Sequence, residues 1–238
     1  MKPQIVTQDI GKHNSGIKEA TSRVVRGGSW KDQSLIWITP SADMIPAKVV
    51  WSWLHMFFPP NNKVHRMLAL GMEVGDAYSS AIETILSHPD LSTWKYVLTL
   101  EHDNVPPPDG VVNLVQQMDR HPEYACIGGL YWTKGPEGVP QIWGDPKAAD
   151  LNYRPQPPVP GKLIECNGTG MGFNLWRISM FKDKRFPKPL FKTKASVKEG
   201  VGTQDLAFWS EAKKLGYRCA IDCSILVGHY DQGTDTTW

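Results

Sequence analysis

Apolar and polar positions along this chain alternate between the two periods that mark strands and helices. Leu35-Ile36-Trp37-Ile38-Thr39 is a short apolar run ending in Pro40-Ser41, the pattern of a buried strand feeding a loop. Pro46 stands where a first-turn proline belongs, and Ala47 to Phe58 is the predicted helix, stopped by Pro59-Pro60. Val64 to Leu70 is a second predicted strand, Asp76 to Ser87 a second helix, Lys95 to Leu100 a third strand and Asp109 to Arg120 a third helix. Strands alternating with helices imply right-handed crossovers and a mostly parallel α/β sheet with helices on both faces. Such sheets bind ligands beyond the carboxyl ends of their strands. The third strand runs into Glu101-His102-Asp103-Asn104, so chemistry is to be sought there.

The second half changes character. Ala125 to Trp132 predicts another strand, followed by a Gly- and Pro-punctuated excursion from Lys134 to Pro160. Leu163 to Arg177 runs through Gly168-Thr169-Gly170-Met171-Gly172, and Ile178 to Phe181 opens a short helix. Lys182 to Gly202, rich in Lys, Pro and Gly, is expected to be an exposed loop. Gln204 to Leu215 predicts a helix closed by Gly216, and Tyr217 to Gly228 a last strand with His229 just past it. The expected organisation is an arm over residues 1–33, one domain over 34–231 whose halves meet after residue 124, and a tail over 232–238.

At 238 residues, 41% hydrophobic and 21% charged, the chain can bury a full core. A net charge of +2 is too mild to imply nucleic acid by bulk electrostatics. The four cysteines (Cys126, Cys166, Cys219, Cys223) contain no Cys-x-x-Cys pair, which fits neither a zinc framework nor a disulfide scaffold. The polar start lacks an apolar signal core, and no run approaches the roughly 18 to 20 apolar residues of a membrane span. The expected location is therefore the cytoplasm.

Glu101 and Asp103, two apart on an extended segment, project to one side. Facing one crevice, they repel unless a cation or hydrogen-bond donors satisfy them. Carboxylate oxygens suit hard ions such as Mg²⁺ and Mn²⁺. A solvated acidic loop is the plainer reading of the same pair.

Tyr96 through Asp109, Y-V-L-T-L-E-H-D-N-V-P-P-P-D, resembles the strand-then-DxD segment of GT-A glycosyltransferases, especially the family 2-like group. Glu101 stands where that family usually has aspartate. The resemblance implies a GT-A (Rossmann-like) sheet with a smaller acceptor-side β region, and metal-dependent sugar transfer from a nucleoside-diphosphate donor, UDP-sugars weakly favoured. It assigns the metal and diphosphate to Asp103, with Glu101 as a further ligand or ribose contact and His102 between them. Gly202 to Trp209 resembles the acidic segment whose acid opens a helix, so Asp205 is the implied general base in inverting members. Gln204 stands where the family commonly carries a preceding acid. An acid in a helix's first turn is also stabilised by the macrodipole alone. Ile225 to Asp231 resembles the late strand whose histidine adds a ligand, here His229, and imidazole tilts the ion towards Mn²⁺ over Mg²⁺. Gly168 to Gly172 resembles the Gly-rich stretch under the acceptor, with Gly170 as a contact. Thr39, Pro40, Ser41 and Asp43 fall on the loop where the family binds base and ribose, and Asp76 lies near it.

Two rivals stay open. Nucleotidyl transfer shares the architecture, but the loop Thr39-Pro40-Ser41-Ala42-Asp43 is acidic and glycine-free, unlike a triphosphate cradle. A binding protein that kept the fold and lost turnover would account for Glu101 and Gln204. The acceptor is unidentified; the lysines between Lys182 and Lys198 would suit DNA or another anionic polymer, or simply a solvated loop. The sequence leaves the oligomeric state unassigned.

Overall fold

The computed structural model describes residues 33–59, 63–196 and 200–238. Apart from Gln33, the expected arm lies outside the described residues. The elements run β1 (Ser34–Ser41), α1 (Ala47–Leu54), β2 (Lys63–Leu70), α2 (Val74–Ser87), β3 (Tyr96–Leu100), β4 (Asn104–Val105), α3 (Gly110–Arg120), β5 (Cys126–Leu130) and β6 (Ile142–Trp143). They continue with β7 (Leu163–Cys166), β8 (Gly168–Thr169), β9 (Phe173–Arg177), α4 (Ile178–Phe181), β10 (Lys194–Ser196), β11 (Gly200–Gly202), α5 (Gln204–Lys214), β12 (Cys219–Leu226), β13 (Gly228–Asp231) and β14 (Thr236–Thr237).

Seven strands form the main sheet in the order β2-β1-β3-β9-β5-β12-β7. β1 pairs parallel with β2 and β3, and β5 with β12. β9 runs antiparallel between β3 and β5, and β7 is antiparallel to β12. The expected α/β, mostly parallel sheet flanked by helices is the observed one. Alternation along β1 sends Ile36 and Ile38 into one core and Leu35 and Trp37 into the other. α2 and α5 cover the first face with Tyr78, Ile82, Ile85, Phe208 and Trp209. α3 covers the second with Val111, Leu114, Val115 and Met118. The first core is aromatic: Trp176 stacks on Trp209 at 5.1 Å, and Phe208 lies 4.5 Å from Phe191 and 5.1 Å from Phe186.

Several boundaries differ from the pattern-based expectation. α1 stops at Leu54 rather than Phe58, because Phe57 N donates to Pro108 O at 2.7 Å and Met56 is buried against the second core. The stretch 163–177, whose pattern sets no element bounds, is three strands broken around Asn167 and Gly170. Residues 182–202 are not exposed throughout. Phe186, Leu190 and Phe191 are buried, Ser79 Oγ bonds both the N–H and the carbonyl of Phe191, and β10 and β11 pair. Residues 232–238 return to pair β14 with β13. Among the described residues no helix is long and apolar enough to cross a membrane.

A small second sheet, β14-β13-β4, positions the site. β13 pairs antiparallel with β4, setting His229 opposite Asn104, and Tyr230 N donates to Asp103 O at 2.7 Å. The chain just past β12 is thereby fastened to the chain just past β3, at the carboxyl edge of the main sheet.

Candidate active site

The site begins where β3 ends. Glu101 N donates to Gly172 O at 3.0 Å and Asn104 N to Glu101 O at 3.1 Å, so the acidic segment turns immediately after the strand. Asp103 Oδ2 receives Lys134 Nζ at 2.6 Å and faces His229 Nε2 at 3.3 Å; its side chain is 17% exposed. Burial works to raise its pKa, but hydrogen bonds from His229 and Lys134 hold the carboxyl well below the usual carboxylate range.

His229 has a defined tautomer. Its Nδ1 lies 2.7 Å from the carbonyl of Trp132; a carbonyl only accepts, so Nδ1 carries the hydrogen. With Nδ1 holding one hydrogen, Nε2 donates to the Asp103 carboxylate only when the ring carries a second proton; in the neutral ring it aims a lone pair there instead. Two acceptors face one another, and that pairing is stable only with a proton or a cation between or beside them. Tyr131 and the imidazole pack edge to face, with ring centroids 5.6 Å apart and planes at 89°, which restrains the imidazole plane.

Glu101 points to a different neighbourhood. Tyr78 Oη stands 3.5 Å from Glu101 Oε1. Desolvation first, then the charges of Asp103 and Asp205, push Glu101 up to about 8, against the opposing effects of Tyr78 and Lys134. Its carboxyl is thus substantially protonated at neutral pH. Asp205 opens α5, is 9% exposed, and accepts from Leu206 N at 2.8 Å. Burial raises its pKa, with the hydrogen bond from Thr203 opposing. The three carboxyls form an electrostatic unit centred on Glu101, and the buried hydroxyls of Tyr78 and Tyr131 lie in the same field. Among the described residues no group of three or more His, Cys, Asp or Glu side chains is set to hold a metal. Asp103 and His229 are a two-residue pair, and Glu101 does not complete a three-ligand cluster with them.

The remaining sequence candidates divide. Thr39 is fully buried, accepting from Trp37 Nε1 at 2.7 Å and donating to Leu100 O at 2.8 Å. Pro40 is buried, and Ser41 Oγ donates to Met44 O at 3.2 Å, closing the turn in which exposed Asp43 takes a φ of 77°. Asp76 is exposed in the first turn of α2, where Glu73 Oε2 accepts its N–H at 3.2 Å. His102 is half-buried between Glu101 and Asp103. Gly170 is buried, and a Cβ there would run into Tyr131 Oη and Gln141 Oε1. Close packing under the site is thus enough to require that glycine. Sequence reasoning passed over Lys134, Tyr131 and Tyr78. A lone lysine opening a Gly/Pro turn and two tyrosines in apolar runs carry no motif; only the fold brings them here.

The fold can be compared with known structures. No protein-family model matches the chain, and no curated protein matches it. Among solved structures, A197 from STIV aligns over 84% of this chain and 86% of its own, with a TM-score of 0.59 and 16% identity. GalNAc-T7, solved with UDP, GalNAc and Mn²⁺, aligns over 84% of this chain at a TM-score of 0.55 and 12% identity. The chain has a GT-A fold. The match spans only 44% of GalNAc-T7. The catalytic domain of Drosophila β1,4-galactosyltransferase 7, solved with xylobiose, aligns over 80% of this chain and 65% of its own at a TM-score of 0.42 and 15% identity, too distant to bear on the fold. In this GT-A framework the Asp103–His229 pair lies at the carboxyl edge of the sheet, where open α/β sheets bind their ligands.

Proposed function

We propose that this GT-A chain is a metal-dependent glycosyltransferase that takes a sugar from a nucleoside-diphosphate donor. The observation carrying this reading is the convergence of Asp103 and His229, distant in sequence, with Nε2 and Oδ2 3.3 Å apart and Nδ1 tied to a backbone carbonyl. Anchoring one ring nitrogen on a carbonyl leaves the other as a fixed ligand. A carboxylate and an imidazole fit a divalent ion whose other positions are filled by water and diphosphate oxygens. Imidazole favours Mn²⁺ over Mg²⁺, and GalNAc-T7, of the same fold, was solved with UDP and Mn²⁺; UDP-sugars are the favoured donors. The bound ion would neutralise charge on the departing nucleoside diphosphate.

The chain's own groups supply the rest. Asp205, buried and with a raised pKa, is suited to take the proton of an acceptor hydroxyl, as inversion requires. Glu101, protonated at neutral pH, donates a hydrogen bond to a donor hydroxyl rather than adding a third negative charge. Tyr131 holds the plane of His229. DNA or another anionic polymer is the acceptor class that the exposed Lys182, Lys184 and Lys188 would suit.

The test is a thermal-shift panel of UDP-, GDP-, CMP- and dTDP-sugars with and without Mn²⁺. One donor should raise Tm only with the metal, and that donor should be consumed when acceptors are supplied. If every sugar nucleotide leaves Tm unchanged in both conditions, the reading fails. Metal-dependent binding without consumption by any acceptor would favour a non-catalytic sugar-nucleotide-binding protein.

A further inference from the structure

The cation on Asp103 is supplied by the protein itself. Lys134 Nζ lies 2.6 Å from Asp103 Oδ2, the same oxygen that faces His229 Nε2. A divalent ion shared by Oδ2 and Nε2 would need the ground the ammonium holds, so ion and ammonium compete for the Asp103 carboxylate. The backbone under Lys134 is fixed: Thr133 N donates to Val139 O at 2.9 Å, Gly138 N to Gly135 O at 3.0 Å, and Val139 N to Thr133 Oγ1 at 2.9 Å. The side chain itself is 34% exposed and rides on a flexible four-carbon stem. Its head can therefore move by several ångströms while its root stays beside the site.

We propose that Lys134 is a diphosphate-binding residue that guards Asp103 in the free protein and transfers to the diphosphate when a divalent ion takes its place. This rests on the reading of Asp103 and His229 as an ion site. Displaced from Asp103, an ammonium tethered within reach of the ion finds its nearest anionic partner in the phosphate oxygens that complete the ion's shell. The free site thereby keeps Asp103 neutralised without metal, and the loaded site gains a second positive charge on the leaving group. The lysine should weaken metal binding when no phosphate is present and strengthen phosphate binding once the ion is in place.

The test uses Lys134→Met, which keeps the stem and removes the charge, with Lys134→Arg as the conservative control. Mn²⁺ binding is read by electron paramagnetic resonance without nucleotide, and inorganic pyrophosphate binding by calorimetry at saturating Mn²⁺. Lys134→Met should bind Mn²⁺ about threefold to tenfold more tightly than wild type, as expected for losing a competing ion pair. It should bind pyrophosphate more weakly by a similar factor, while Lys134→Arg retains pyrophosphate binding. An unfolded variant cannot mimic tighter Mn²⁺ binding. Mn²⁺ affinity unchanged by Lys134→Met, or pyrophosphate affinity unchanged, overturns the role of Lys134 alone. Absence of Mn²⁺ binding in wild type and variant alike overturns the ion site on which it rests.

Discussion

His229 Nε2 and Asp103 Oδ2 lie 3.3 Å apart across 126 positions of sequence, 229 − 103, because β13 pairs with β4 and Tyr230 N bonds Asp103 O. The pairing holds both residues by their backbones, so either side chain can be altered without moving the other. Asp103→Asn and His229→Ala should each keep the fold and lose most Mn²⁺ affinity. A loss on the order of 10- to 100-fold is the usual scale for disturbing a metal site's supporting groups, and removal of a ligand should reach at least that. Mn²⁺ titration with circular dichroism on the same samples checks it; wild-type affinity in both variants would remove the ion site.

Asp205 is placed to act on a proton rather than on a metal. Asp205→Asn keeps an acceptor for Leu206 N and removes a carboxyl whose burial is unfavourable when ionised. Tm should be unchanged or slightly higher, while kcat falls by roughly 10²- to 10⁴-fold, the usual contribution of a positioned base. Donor binding should persist. Equal turnover in the variant would leave Asp205 with helix-terminal stabilisation alone.

Glu101 gives the protein a pH-dependent stability of definite sign. Its pKa rises from 4.5 to about 8 on folding, so the native state holds this proton more tightly than the unfolded chain. That stabilisation is complete below the unfolded pKa and is lost as pH climbs through about 8. Tm should therefore fall between about pH 5 and pH 9, and Glu101→Gln, which stays neutral, should flatten the fall. An identical Tm–pH curve for the variant would show that Glu101 does not carry it.

The aromatic core under α5 fixes Asp205 in space. Phe208 contacts Phe181, Phe186, Phe191, Trp176 and Trp209. Phe208→Ala should lower unfolding stability by about 3–5 kcal/mol, the range for deleting a buried aromatic side chain. Urea unfolding measures it; a loss below about 1 kcal/mol would mean the cluster collapses to fill the space.

Much of this was legible in the sequence, and the divide follows range of interaction. The strand–helix alternation from Leu35 to Arg120 is a local pattern, and the elements appear in the order it gives, α1 alone ending well short. Glu101 and Asp103 stand just past β3 and Asp205 in the first turn of α5, as motif order points, while His229, expected just past the last strand, lies within the separate strand β13. Less legible were features set by distant partners. The end of α1 depends on Pro108 O, the anchoring of residues 182–191 on Ser79 and the aromatic core, and the division of 163–177 on Tyr131 beneath the glycines. Lys134 was hidden for the same reason, since its meaning comes from a carboxylate 31 positions away.

β9 has a consequence for how the molecule comes into being. β3 and β5 precede it in the chain, yet they do not pair with one another; β9 is the wedge that joins them. Until Phe173–Arg177 has been synthesised, β2-β1-β3 is a fragment with an open edge, and β5 has no neighbour on that side. Assembly must therefore wait for Phe173–Arg177 rather than proceed steadily from strand to strand. A truncation before residue 173 would also remove β12, leaving the free edge of β3 and both edges of β5 open to association with other chains.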